Sequence, residues 1–141
     1  MFAQIEDMLY RHCGLLGVCG IGGDVRVLLA SDTDAAREAI ELFTYRIALE
    51  AGAMAAALGG PDGLVFTAGI GEHAAAIRAA VCARLGWLGL ELDASANAAG
   101  APRIGTPESR AAILVIPTDE EAMVAHHTRG ILLMEGEAPW R

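Results

Sequence analysis

Apolar residues recur at spacings of three and four from Ala36 to Leu58, and this run predicts the longest element of the chain. Ala36, Ile40, Phe43, Ile47, Ala51, Met54 and Leu58 fall on one helical face. Ser31 to Asp34 can cap its start, and Gly59, Gly60 and Pro61 end it. A helix of about 25 residues is about 37 Å long. Alanines crowd its other faces, so a second helix or another subunit can approach closely. A shorter amphipathic helix is expected in "FAQIEDMLYRHCG", with Ile5, Met8 and Leu9 on one face and a stop at Gly14. The next stretch, "GLLGVCGIGGDVR", has too many glycines for a helix interior and reads as a structured loop.

Further along, continuous apolar runs replace the helical period. "GLVFTA" and "AAILVIP" read as two buried strands, each followed by a helix. The first of these helices, "GEHAAAIRAAVCARLG", carries Ile77, Val81 and Leu85 on one side, with Gly86 past its end; the second, "TDEEAMVAHHTRG", closes at Gly130. Between them, "ASANAAGAPRIGTPES" reads as loop with a short strand at Arg103 to Thr106, and the tail at 135–141 as loose. This order predicts an α/β fold in a single domain over residues 1–141.

Candidate chemistry lies where each strand delivers the chain to a helix. Ligands of α/β sheets bind beyond the carboxyl ends of the strands, so both corners can face one crevice. At the first corner, Gly69 and Gly71 leave room for a ligand to approach main-chain amides, whose partial positive charge suits phosphate or ribose oxygens. A tight turn accounts for the same two glycines, and their spacing is not that of the dinucleotide fingerprint. At the second corner, Thr118 and Glu121 fit a capping box, which leaves Glu120 over. Glu120 either complements the helix dipole or serves as a magnesium ligand, with Asp119 as a further carboxylate. His126 and His127 lack a zinc-binding spacing and diverge by about 100° around a helix. Asp24 and Arg26, in "GGDVR", either reach a ligand together or pair with each other.

Composition narrows the partners. The net charge of -8 opposes nucleic acid and anionic membranes, and no basic patch offsets it. All basic residues are arginine, which excludes a Walker A loop and the strand lysine of protein kinases. Cys13, Cys19 and Cys82 are odd in number and form no C-x-x-C; they read as buried small apolar residues in a reducing compartment. The start carries acids where a signal peptide needs a basic end, and no apolar run is long enough to span a membrane, so the expected location is cytoplasmic.

Taken in order, "GLLGVCGIGGDVR", "LVFTAGIGEH" and "ILVIPTDEEAMVA" resemble the C-terminal part of acetate kinase and its short-chain carboxylate kinase relatives, within the superfamily of actin and the sugar kinases. The resemblance implies a ribonuclease-H-like half-domain with a central sheet flanked by helices, ATP or ADP as substrate, magnesium as cofactor, and a homodimer formed through this domain. It also implies phosphoryl transfer between ATP and acetate. By the same resemblance, Asp24, Val25 and Arg26 belong to a loop beside the adenosine, and Gly69, Ile70, Gly71, Glu72 and His73 to a second nucleotide-binding segment. Glu120 is implied to hold magnesium. His73 stands where the family usually has asparagine, and Gly22 and Gly23 where small hydroxyl residues are common. The family's carboxylate pocket and catalytic residues lie in an upstream part with no counterpart in this chain. Catalysis is therefore expected to need that N-terminal part, whereas a non-catalytic nucleotide-binding or dimerisation module would not.

Overall fold

Helix α4 spans Asp34–Leu58, the 25 residues that its period predicts. The Thr33 hydroxyl caps it by accepting the Ala36 N–H at 3.3 Å, and Gly59 ends it in the left-handed region at φ 73°. These details come from a computed structural model that describes residues 2–134; the expectation of a loose tail lies outside those residues. The buried stripe of α4 is made of small side chains, Ala36, Ala39, Thr44, Ala48 and Ala55, so its neighbours approach closely and Met54 and Leu58 are left exposed.

The remaining elements follow in chain order. Helices α1 (Phe2–Arg11), α2 (Gly14–Cys19) and α3 (Val25–Leu29) precede α4; strand β1 (Gly63–Phe66) leads into α5 (Ala68–His73) and α6 (Ala75–Arg84). A 3₁₀ turn at Gly86–Leu88, helix α7 (Ala94–Ala98), strand β2 (Ala112–Val115) and α8 (Glu120–Met134) complete the described chain. The two strands are parallel, with Gly63 opposite Ala112 and Phe66 opposite Val115. On the other edge of β2 the chain at 103–105 runs antiparallel, Arg103 bridging to Leu114 and Ile104 donating its N–H to the Ile113 carbonyl at 2.9 Å. Helices α5 to α7 thus form the crossover between two parallel strands.

Several elements differ from the sequence expectation, each for a local reason. The glycine-rich stretch holds a one-turn helix, α2, because Leu15 is drawn onto the core and Gly20 can close the turn at φ 67°. The predicted helix after β1 is two helices, broken at Ala74, whose ψ of 79° cannot continue the α ladder. Helix α7 occupies part of the expected loop because Asp93 caps it, accepting the Ser95 and Ala96 N–H groups. Helix α8 runs through Gly130 to Met134, since that glycine keeps a right-handed conformation. Strand β1 is buried on one face only: Phe66 is enclosed and Val65 half exposed, as alternation requires in so narrow a sheet. Cys82 is buried, Cys19 half-buried and Cys13 exposed, which corrects the uniform reading of the three thiols.

The core sits between the sheet and α4 and α6. Phe66, Ile113 and Val115 share one buried cluster with Ile77, Val81, Cys82 and Leu85, to which Val25, Ala48, Leu90 and Ile104 also belong. The face predicted for α6, Ile77, Val81 and Leu85, is wholly buried. Apolar residues of α1 and α8, among them Phe2, Leu9, Val124 and Ile131, are exposed.

Candidate functional site

Two segments far apart in sequence meet at one cavity. Gly23, Asp24, Val25, Arg26 and Leu29 line it on the α3 side, and Gly69, Ile70, His73 and Ala74 on the α5 side. Its volume is about 480 Å³, within the range typical of small-molecule sites. Of the sequence-predicted residues, the structure brings Asp24, Val25, Arg26, Gly69, Ile70 and His73 to this wall. It does not bring Gly71, Glu72 or Glu120 there. Another cavity of about 470 Å³ between α3, α4 and α6 has Arg37, Glu41 and Arg84 on its lining. The two volumes are nearly equal, so size alone does not select the site.

Asp24 has a structural task as well as a position. Its carboxylate caps α3 by accepting the Arg26 N–H at 2.9 Å and grips the Arg26 guanidinium at 2.6 Å. That side-chain bond, with the amide bond second, pulls the Asp24 pKa down from 3.8 to about 2. The exposed ion pair and the cavity-facing loop are therefore the same arrangement. Arg26 is highly exposed and can turn toward a ligand without leaving a buried charge behind. Val25 belongs to the buried core and also lines the cavity.

The two glycines of the first corner separate in role. A Cβ on Gly71 would lie 3.1 Å from the Phe66 carbonyl carbon, so close helix-to-strand packing requires that glycine. A Cβ on Gly69 would meet nothing within 4 Å. Packing therefore leaves Gly69 free, and its bare backbone is accessible from the cavity. Ala68, the first residue of α5, is left-handed at φ 58°, a conformation costing a non-glycine residue about 1 kcal/mol. The Thr67 hydroxyl, donating to the Ile116 carbonyl at 2.8 Å, and the Ile116 N–H, donating to the Phe66 carbonyl at 2.9 Å, hold this corner against the end of β2.

Glu72 joins the two corners. Its carboxylate accepts the Thr118 N–H at 2.9 Å and the Thr118 hydroxyl at 3.0 Å. Thr118 is thereby withdrawn from the predicted capping box. Asp119 caps α8 instead, accepting the Ala122 N–H at 2.8 Å. Glu121 has no capping role here, and Glu120 lies exposed in the first turn. The Thr118 amide bond holds the Glu72 carboxyl below its ordinary value, with a smaller contribution from the hydroxyl and against partial desolvation. Stabilisation from this contact is present above the ordinary glutamate value of 4.5 and is lost as pH falls through the lowered folded value. Acidification should accordingly shift the Thr118 amide resonance with a midpoint below 4.5, and Glu72→Ala should abolish that transition. A midpoint at or above 4.5 contradicts the contact.

A magnesium ion takes one or two protein carboxylates and completes its shell with water and phosphate oxygens. Glu120 offers one such exposed donor, and Asp119 is engaged in capping. Among the described residues no group of three or more histidine, cysteine, aspartate or glutamate side chains could enclose a metal. Glu120 by itself could supply one position of such an ion, the other positions falling to groups outside the described residues. His126 and His127 stack edge to face, ring centroids 5.7 Å apart.

The sequence matches the model of the Acetokinase family over residues 1–126. The chain belongs to the Acetokinase family. It is 60% identical over 126 residues to the acetate kinase of Rhodopseudomonas palustris (strain TIE-1), a match covering 88% of this chain and 32% of that protein. With the acetate kinase of Rhizobium meliloti it shares 50% identity over 128 residues, 91% of this chain and 33% of the relative. The fold matches the crystal structure of Porphyromonas gingivalis acetate kinase with a TM-score of 0.84 at 36% identity, covering 94% of this chain and 35% of that one. A propionate kinase from Francisella tularensis subsp. tularensis SCHU S4 matches at 0.81 and 37% identity, over 89% and 33% of the two chains. The chain thus spans about a third of the length of the relatives it matches. Its small parallel sheet flanked by helices agrees with the α/β fold of the actin and sugar kinase superfamily. No described helix is long and apolar enough to cross a membrane.

Some residues of the site carried no sequence signal. Leu29 and Ala74 line the cavity as ordinary apolar residues. Arg78 and Asn97 are polar residues at buried positions.

Proposed function

We propose that this chain is the nucleotide-binding part of an acetate kinase. In that role the cavity between Asp24–Arg26 and Gly69–His73 receives ADP or ATP. The observation that carries this reading is the meeting of these two segments around about 480 Å³ of open volume. Arg26 supplies an exposed positive charge, and Gly69 and Ile70 supply accessible backbone. Glu120 takes one position of a magnesium ion whose charge, when bound, offsets that of the phosphates. In the complete reaction a carboxylate oxygen of acetate bonds to the γ-phosphorus of ATP as the bond to ADP breaks, giving acetyl phosphate. The carboxylate pocket and the groups that stabilise this transfer come from outside these 141 residues. Phosphoryl transfer depends on positioning and charge stabilisation, so the isolated chain binds nucleotide weakly and turns over little.

Calorimetry with ADP and magnesium, followed by an assay of acetate-dependent ADP formation, tests this reading. Binding by the chain alone and turnover only after an N-terminal acetate kinase part is added are the expected results. Absence of ADP binding overturns the nucleotide reading, and turnover by the chain alone overturns the division of labour. Glu120→Ala should reduce the magnesium-dependent gain in affinity several-fold, Glu121→Ala hardly at all; equal effects refute the metal assignment.

A second reading is favoured by one surface. Tyr45, Leu49 and Gly52 of α4 and Trp87 of the 3₁₀ turn line an open groove of about 820 Å³, and Trp87 is 71% exposed. A dimerisation module would use that face. Sedimentation of the chain and of Trp87→Glu separates the readings, since a shift to monomer in the variant with unchanged ADP binding assigns both roles to the chain.

A further inference from the structure

We infer that Arg78 is a positioning residue for the cavity-facing segment Gly69–His73, anchored in turn by Asn97. Arg78 lies on α6 between Ile77 and Val81 and is 2% exposed. Its Nη1 donates to the Gly71 carbonyl at 2.9 Å and the Glu72 carbonyl at 2.8 Å. On its other side, Nε donates to Asn97 Oδ1 at 2.7 Å and Nη2 to the Asn97 carbonyl at 2.7 Å. Asn97 Nδ2 donates to the Ala75 carbonyl at 2.9 Å, so one buried network ties the end of α5, the start of α6 and α7 together.

Burial of this kind is costly. Burial lowers the Arg78 pKa from its ordinary value, yet the guanidinium stays protonated, and among the described residues no carboxylate pairs with it. Its negative partners are carbonyl oxygens, two of them at the carboxyl end of α5, where the helix dipole is negative. The break at Ala74 strands those carbonyls beyond the α5 ladder, and the guanidinium takes both. Residues on either side of this grip, Ile70 and His73, line the cavity. A rotation of the short helix α5 would move both, and its hydrogen bonds to Arg78 oppose that rotation. What the segment binds rests on the nucleotide reading above; that the clamp orients it does not.

The test compares Asn97→Ala and Arg78→Lys with Val81→Ala, a core variant chosen for a similar loss of melting temperature. Lysine keeps the charge but cannot fork to the two carbonyls and Asn97 together. Each clamp variant is expected to weaken ADP binding about tenfold, as misplacement of a binding segment does, and to speed amide exchange across residues 71–74. Val81→Ala should leave both readouts within about twofold, because it removes core volume and none of the hydrogen bonds that hold α5. Equal loss of affinity in the core variant, or unchanged exchange at 71–74 in the clamp variants, overturns the inference. If Arg78→Lys fails to fold, Asn97→Ala decides. A parent chain that binds no ADP overturns the nucleotide reading, and amide exchange then decides the clamp by itself.

Discussion

Gly71→Val is expected to destabilise the chain by about 3 kcal/mol and to lower its melting temperature by about 10 °C. The added Cβ would stand 3.1 Å from the Phe66 carbonyl carbon and 3.4 Å from its Cα. That backbone has little freedom to retreat. Phe66 is paired with Val115 in the sheet, and its carbonyl accepts the Ile116 N–H. The strain must instead push α5 off the strand, disturbing the Arg78 and Glu72 contacts at the same place. Thermal unfolding followed by circular dichroism checks this, and a loss below about 1 kcal/mol would contradict the packing role assigned to Gly71.

Gly69→Phe is expected to do the reverse, weakening ADP binding about a hundredfold while leaving the melting temperature nearly unchanged. A Cβ at this position meets nothing within 4 Å, so the ring clashes with no packed neighbour, and it is added at a residue on the cavity lining. Replacing a helical glycine also removes an entropic cost of up to about 1 kcal/mol, which favours the folded state. Calorimetric titration beside a thermal melt reads both quantities. Unchanged affinity would refute the placement of nucleotide in this cavity, and a large loss of stability would mean that Gly69 is a packing residue like its neighbour. Together the two substitutions separate the glycines of "AGIG" into one that lets a helix touch a strand and one that lets a ligand touch the backbone.

The elements most legible in the sequence were those governed by neighbours within a turn or two. The apolar period of α4, its Thr33 cap and the Gly59 stop all act over such distances, and all three appear in the fold. Apolar runs likewise located β1 and β2, and the Ile77, Val81 and Leu85 face of α6. Capping of α8 was less legible because the Thr118 hydroxyl has two candidate partners. One is local; the other, Glu72, is 46 residues away, and it takes the hydroxyl. Asp119 then supplies the cap that sequence spacing had given to Thr118. Helix α2 was missed for a related reason, since six residues rich in glycine have poor intrinsic propensity and Leu15 gains its place by packing.

By itself the sequence determined the α/β order, the ends of the long helix, the absence of lysine-based phosphate binding and, through its ordered motifs, membership of the Acetokinase family. Only the tertiary structure decided which motif residues face a common cavity. It placed Asp24, Arg26, Gly69 and His73 at that wall, gave Gly71 to packing and Glu72 to the second corner, and buried Arg78 against two carbonyls. The physical reason is the range of the forces concerned. Helical period and caps are set by residues a few positions apart, whereas the partner of a carboxylate or a buried guanidinium is set by whichever distant segment the core brings alongside it.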